Sequence, residues 1–288
     1  MSITLTEKFA DRIDERYHPI SVTNAGVNQN YDWDGAQTIK ITSVGTVAMK
    51  DYDRETGYGA VASADGLSNA IQVLTLTKDR YFRAKLDKMN EEESKIKGGE
   101  VLARQLREVT IPEIEAYRLQ VMCKAIVTNT QAIEQTKTVY EHFLEANEKL
   151  DAANVPQVTR VAFANPAFIN TLKLDPNFVK AGDLSQEMLL KGQVGQVDGV
   201  PIIKTNTAWL KDDASTNFDC IIVDKNATVA PIKLAEYTAN PNHPDYSGTV
   251  FQGRFYYDAF VLDMKKKGLV GIKKKELAAM SRTRKTTK

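Results

Sequence analysis

One sequence feature restricts the possible folds of this chain more than any other. It consists of two stretches of alternating apolar and polar residues, separated by a long polar connection. Thr38–Val44 alternates with period two, and a longer alternation runs from residue 71 to about residue 86. The connection, roughly residues 45–70, contains four glycines. Period two is typical of a half-exposed strand, and a loop of this length is unusual inside a compact domain. The pattern predicts a protruding β-hairpin.

Helical periodicity follows the hairpin. After the acidic residues 91–93, apolar residues recur at helical spacing to about residue 126, and Pro112 interrupts them. Thr110 and Glu113 form a capping box around that proline, so we expect the helix to kink or restart there. A second helix is predicted over residues 136–153. Near the amino terminus, a short helical stripe is formed by Leu5, Phe9, Ile13 and Tyr17, and residues 18–36 have the composition of an extended arm.

The remainder mixes strands with short helices. A bend of the type Gly-apolar-Gly-apolar-Pro leads into a strand at residues 195–203, where Gly195 and Gly199 permit the turn and Pro201 fixes φ. We predict strands at 158–163, 218–223, 227–232, 254–262 and 269–272, a short helix at 166–172 and a loop at 238–247. Strands and helices do not alternate regularly, so the fold class is α+β.

Composition favours a folded chain. With 288 residues, of which 42% are hydrophobic, one large domain or two modest ones can form a core. The absence of an 18-residue apolar run argues against a membrane-spanning helix, and residues 1–7 lack the pattern of a signal peptide. Cys123 and Cys220 are predicted to be reduced, buried thiols made in a cytosol.

Charge is unevenly spread along the chain. Residues 264–288 contain ten lysines and arginines against Glu276 alone, a charge of +9, so residues 1–263 carry −8. A solvated end is one reading of this tail. Contact with DNA or with an acidic neighbouring subunit is the other.

Candidate chemical motifs lack the context that they need. Residues 57–62 match a dinucleotide fingerprint, but no buried strand precedes them and no helix follows. Residues 30–35 resemble half of a calcium loop, yet the twelfth position is Ile41 instead of a bidentate glutamate. The histidines at 18, 142 and 243 lack metal-site spacing. We therefore single out no catalytic, cofactor-binding or metal-binding residue.

Several segments resemble one family. They are residues 5–16, Leu74 to Arg80 with 82–88, Ala103 to Val109 with 111–118, and Gly195 to Ile203. Together with the order of elements, they are similar to the major capsid proteins of tailed bacteriophages, which have the Hong Kong 97-type capsid fold. The resemblance covers most of the chain, and residues 204–250 match only in outline.

The resemblance implies a division of the chain: an N-terminal arm (1–36), an E-loop hairpin (37–90), a spine helix of the P-domain (91–130), an A-domain (131–235), P-domain strands (236–275) and a basic tail (276–288). It implies a non-enzymatic coat protein that assembles as hexamers and pentamers into an icosahedral phage head around double-stranded DNA. Such a protein is synthesised in the bacterial cytoplasm and resides in the virion capsid.

The partners implied are further copies of the chain, a separate scaffolding protein, a portal, and packaged DNA contacted without sequence specificity. No membrane partner or cofactor is expected. Two alternatives stay open at this point: an encapsulin-like cellular shell protein of the same fold, and an enzyme whose site the sequence does not reveal.

Overall fold

A computed structural model describes residues 21–31, 38–47, 49–52, 54–55, 57, 69–89, 98–134, 137–175, 193–213, 216–241 and 246–273. The helices in these ranges are α1 (Gly98–Gln105), α2 (Ile111–Thr128), α3 (Val139–Ala152) and α4 (Pro166–Leu174). The strands are β1 (Thr38–Val44), β2 (Asn69–Thr75), β3 (Lys78–Asp87), β4 (Ala132–Glu134), β5 (Arg160–Ala164), β6 (Gln193–Val197), β7 (Val200–Lys204), β8 (Phe218–Asp224), β9 (Thr228–Val229), β10 (Ile232–Asn240), β11 (Gly248–Tyr257), β12 (Phe260–Val261) and β13 (Leu269–Lys273).

A six-stranded mixed sheet is the largest sheet of the described residues. Its strand order is β4-β13-β8-β5-β7-β6. The pairs β4–β13 and β5–β7 are parallel, and the other pairs are antiparallel. All residues of β5 and β8 are buried, which is expected for central strands covered on both faces.

Helices cover both faces of this sheet. On one face, Phe163 and Ile221 lie in a core cluster with α2 residues such as Met122. On the other face, Ala162 and Ile222 lie in a cluster with residues of α3 and α4. Successive residues of β5 therefore alternate between two cores, as the period of a strand requires, and the result is a three-layer unit.

A second, three-stranded antiparallel sheet has the order β10-β11-β3. Its inner face packs on the first part of the long helix, where Leu102, Leu106 and Ile114 contact Phe251 and Phe255. The predicted two-faced character of β3 is confirmed for Phe82 and Leu86, which pack against this cluster.

The long helix does not restart at Pro112. A π-helical turn, Leu106–Thr110, connects α1 to α2. Thr110 has helical dihedral angles, φ −69° and ψ −48°, and its side chain makes no cap hydrogen bond, so the predicted capping box with Glu113 is wrong. The wider π turn relieves the clash that the ring of Pro112 would otherwise make one turn earlier.

The next two helices begin at side-chain caps. At α3, Thr138 and Glu141 form a capping box in which each side chain accepts the other residue's backbone N–H. At α4, Asn165 accepts the N–H of Phe168, and Pro166 occupies the first turn. The helices predicted near 136–153 and 166–172 are thus confirmed, with α4 two residues longer.

The bend at residues 195–203 is a tight hairpin between β6 and β7. Val197 pairs with Val200, which leaves Asp198 and Gly199 as a two-residue loop with φ of 51° and 76°. Two successive positive φ values are characteristic of the type I′ turn that suits the twist of paired strands. The prediction of a glycine bend into a strand is confirmed for Gly199, whereas Gly195 lies within β6, next to a register shift.

Three strand predictions are wrong in their limits. The alternation at 71–86 is divided between β2 and β3, which belong to different sheets. The strand expected at 227–232 is only β9, and β10 continues to Asn240 into the expected loop, because the first proline of that loop follows the strand. The strand expected at 254–262 begins earlier and is interrupted between β11 and β12.

The division into domains stays a prediction. The limit between residues 235 and 236 falls inside β10, and β13, placed with the P-domain strands, pairs with β8 in the six-stranded sheet. The short helix expected near residues 5–17 lies outside the described residues, as do residues 274–288, which include the whole basic tail 276–288.

Candidate assembly surfaces

The described residues of the sequence motifs discussed above do not come together as a nucleotide-binding, calcium-binding or metal-binding site. Parts of the 57–62 and 30–35 motifs, together with His18 and His243, lie outside them. His142 is buried in α3, where its Nε2 accepts the N–H of Lys137 at 2.7 Å. Across the described ranges, no group of three or more His, Cys, Asp or Glu side chains could hold a metal ion.

Both cysteines are buried free thiols, as predicted. Burial in the core raises the pKa of the Cys123 thiol and that of the Cys220 thiol, in each case with a smaller contribution from a nearby aspartate. A protonated, inaccessible thiol is a poor nucleophile and a poor metal ligand. These residues therefore act as small core side chains.

The hairpin formed by β1 and β2 has two different faces. Seven antiparallel pairs join the strands, from Thr38↔Thr75 to Val44↔Asn69. Directly opposed residues share a face. The inner face consists of Ile39, Ile41, Ser43, Ala70, Gln72 and Leu74, and the outer face consists of Thr38, Lys40, Thr42, Val44, Asn69, Ile71, Val73 and Thr75.

The inner face of the hairpin packs against the rest of its own subunit. Leu74 is 3% exposed and lies in a cluster with Leu76, Val229 and Leu262. Gln72 adds two polar contacts: its Nε2 donates to the carbonyl of Val261 at 3.1 Å, and its Oε1 accepts the N–H of Asp263 at 3.0 Å. The hairpin is therefore attached to its own subunit as far as Gln72.

A buried carboxylate fixes the base of the hairpin. Asp258 is 3% exposed, and its Oδ2 accepts the backbone N–H and the hydroxyl of Thr77, both at 2.8 Å. Its Oδ1 accepts the hydroxyl of Tyr117 at 2.7 Å. Burial, followed by the hydrogen bond to Asp258, raises the pKa of Tyr117. These bonds compensate the cost of burying the charge and connect the hairpin to α2.

Sequence reasoning missed this cluster. Thr77 and Asp258 are separated by 181 positions, so no local spacing indicates the contact. The available signal was a single carboxylate between apolar neighbours, Tyr257 and Ala259, because such a residue needs several donors when it is buried.

The outer face of the hairpin exposes three large apolar side chains among polar ones. Val44, Ile71 and Val73 are 60%, 57% and 54% exposed. Further along the connection, Val47 is 43% exposed and Met49 is completely exposed. Contiguous exposed apolar side chains on a projecting element are characteristic of an interaction surface.

The arm is the second element of interest, and α2 holds it. Its described part, residues 21–31, contains a 3₁₀ helix at Thr23–Gly26, so the extended conformation predicted for 18–36 is wrong there. Glu115 and Arg118 are each 2% exposed. Glu115 accepts hydrogen bonds from the hydroxyls of Ser21 and Thr23, and Arg118 donates to Thr23 at 3.0 Å and to Asn24 at 2.8 Å. Arm residues thus satisfy two buried charges of the long helix, so the described part of the arm belongs to the subunit core.

An open cleft lies beside the arm. It has a volume of about 540 Å³, and its walls include Val22, Arg107, Pro112, Lys204 and Trp209.

Within the described part of the chain, no helix is long and apolar enough to cross a membrane.

Comparison with known proteins identifies the fold. No protein-family profile and no curated sequence matches the chain. Solved structures do match: a chain from Mycobacterium phage Che8 has a TM-score of 0.64 at 18% identity, covering 87% of this chain and 90% of that chain. A chain from the capsid structure of the cyanophage P-SCSP1u has a TM-score of 0.65 at 14% identity and covers 86% of each chain. One from the mature capsid of bacteriophage PhiM1 has a TM-score of 0.61 at 12% identity, with 83% and 82% covered.

The chain therefore has the fold of phage capsid subunits. Its architecture is that of the Hong Kong 97 type, and the fold class implied by the resemblance is confirmed.

Proposed function

We propose that this chain is a structural major capsid protein that assembles into an icosahedral phage head enclosing double-stranded DNA. The observation that carries the proposal is the hairpin, whose inner face is fixed to the subunit while its outer face exposes Val44, Ile71 and Val73. The outer face is of little use to an isolated subunit, because its exposed apolar side chains add little to the core that the inner face joins.

A neighbouring copy that covers this face provides the missing burial. Removing the exposed half of one such side chain from water contributes about 1 kcal/mol, and a shell repeats the contact at every subunit. Specific interfaces bury more than about 1,000 Å², so the hairpin supplies one part of a larger contact. The surrounding partners would be hexamers and pentamers of this chain, with a separate scaffolding protein and a portal.

This function needs no catalytic residue. The protein would be made in the cytoplasm of the bacterial host and would reside in the virion capsid. Packaged DNA would be contacted through its phosphates, without sequence specificity. The basic residues 274–288 are candidates for that contact on their charge alone.

A shortened hairpin tests the proposal. Because Val44 pairs with Asn69, residues 45–68 can be replaced by Asn-Gly, which forms a two-residue hairpin loop. We expect the variant to fold with unchanged circular dichroism and to fail to form shells in electron micrographs, whereas the unchanged chain forms them. Particles of normal size and stability from the shortened variant would contradict the proposed role of the hairpin.

The contents of the particles separate a phage head from a cellular shell of the same fold. Particles that package double-stranded DNA when the packaging machinery is present support a phage head. Particles that instead retain a co-expressed enzyme and exclude DNA would support the encapsulin-like alternative.

A further inference from the structure

The cleft beside the arm has an excess of positive charge. Arg107 and Lys204 line it, both are exposed, and neither side chain has a hydrogen bond or ion pair with the described residues. The acidic groups nearby are already engaged. Glu108 pairs with Arg104 at 3.0 Å, Glu113 pairs with Arg80 at 2.8 Å, and Glu115 accepts the hydroxyls of the arm.

The rest of the cleft wall is suited to apolar side chains. Val22, Pro112 and Trp209 line it, and each is partly exposed. A volume of about 540 Å³ lies in the range of pockets that hold small ligands or a few side chains. The chemistry that fits is an apolar anchor with an adjacent carboxylate.

The connection of the hairpin has this chemistry. Residues 46–69 contain four acidic and two basic residues. Met49 is 100% exposed, and Asp51, two positions later, is also exposed. Methionine is flexible and fills irregular apolar sites well. Since Met49 is completely exposed, it does not occupy the cleft of its own subunit, whose lining residues are described.

We propose that the cleft receives the Met49–Asp51 segment of a second copy of this chain, with Met49 against Val22, Pro112 and Trp209 and the carboxylate of Asp51 between Arg107 and Lys204. The inference rests on the proposed function, because it names the acceptor of the hairpin in a neighbouring subunit. It also assigns a role to the π-helical turn, which carries Arg107 at the edge of the cleft.

Disulfide trapping tests the contact directly. Cys123 and Cys220 are the two cysteines of the chain, and both are 0% exposed, so thiols introduced at the surface react without a competing background. The test variant is Met49→Cys with Thr207→Cys, where Thr207 lines the cleft. The matched control is Met49→Cys with Thr171→Cys, an exposed threonine on α4 that is not part of the cleft lining.

Mild oxidation of assembled protein, followed by denaturing gels without reductant, is expected to give covalent dimers and larger oligomers with Thr207→Cys and monomers with Thr171→Cys. Shells that form normally while Thr207→Cys yields no oligomers would overturn the cleft contact and leave the proposed function intact. A disulfide within one chain would overturn it equally, since the segment would then occupy its own cleft. A folded chain that forms neither capsomers nor shells would refute the proposed function and this inference together.

Charge exchange gives a second readout. An exposed ion pair contributes up to about 1 kcal/mol, a factor of about five in an equilibrium constant. In the trapping variant, Lys204→Glu is expected to lower the yield of oligomers by a factor of about two to five, and Asp51→Lys added to Lys204→Glu is expected to restore it. A yield that does not respond to Lys204→Glu would show that the carboxylate contact is absent.

Discussion

Strands β8 and β2 are each seven residues long, yet their surroundings are opposite. Every residue of β8 is buried, with strands on both sides and helices on both faces of its sheet. In β2 only Leu74 is buried, and the strand pairs with β1 alone among the described strands. The apolar residues of β8 specify the subunit, whereas Ile71 and Val73 contribute little to it and remain available to a partner.

An acidic substitution in β8 is expected to have the largest effect. Ile222 is 0% exposed between the sheet and α3. Ile222→Asp places a carboxylate without donors in this core, which costs about 4 kcal/mol or more, a large part of the stability of most domains. We expect insoluble or unfolded protein, measured by circular dichroism and by solubility after expression.

The same substitution in the hairpin is the matched control. Ile71 is 57% exposed, so Ile71→Asp is expected to change the free energy of unfolding by less than about 0.5 kcal/mol. Assembly should nevertheless be lost, because the outer face then presents a charge where a neighbour buries apolar surface. If Ile71→Asp unfolds the subunit, the hairpin belongs to the core and the contrast with β8 is wrong.

Removing the negative charge at the base of the hairpin is expected to have an intermediate effect. Asp258 accepts three hydrogen bonds from Thr77 and Tyr117. Asp258→Asn keeps the shape but exchanges one accepting oxygen for a donor, and we expect the free energy of unfolding to fall by about 2 kcal/mol. Urea denaturation measures the change. Asp263→Asn, at an exposed aspartate nearby, is the control and should leave the midpoint unchanged.

A smaller loss of stability than at Asp258 is expected at the turn between β6 and β7. Gly199 has a φ of 76°, and no atom lies within 4 Å of where a Cβ would be. The cost of Gly199→Ala is therefore conformational, about 1 kcal/mol, and should be measurable as a lower urea midpoint. Gly199→Asn should cost less, because asparagine tolerates this backbone region. Equal costs for the two variants would argue against a purely conformational origin.

Local patterns predicted the elements well where one pattern coincided with one element. The limits of β1 are those of its alternation, and the first residues of α3 and α4 lie near the expected positions. Alternation could not show that β2 and β3 are separate, because Leu74 and Leu76 are both buried and continue the period across the break. A period of two reports which face is buried and carries no information about which strand is the neighbour.

The cleft and the Asp258 cluster could not be predicted for a related reason. Each joins residues that are remote in sequence: Arg107 with Lys204, and Thr77 with Asp258. No spacing rule relates such pairs. The resemblance to capsid proteins supplied the fold, but the polar contacts that attach the hairpin and the arm depend on side chains that only the three-dimensional arrangement brings together.

The junction between β2 and β3 has a mechanical consequence. Only Leu76 and Thr77 separate the two strands. Leu76 is 1% exposed with its carbonyl bonded to the hydroxyl of Tyr256 at 3.0 Å, and Thr77 is bonded to Asp258. Both linker residues are therefore fixed by hydrogen bonds, and the linker is too short to rotate independently of the two strands. A torque applied to the hairpin is transmitted to β3, which is about 33 Å long. Because β3 pairs with β11 at ten positions, the torque is transmitted to β11 as well. A neighbour that pulls on the hairpin therefore works against the elasticity of a whole sheet.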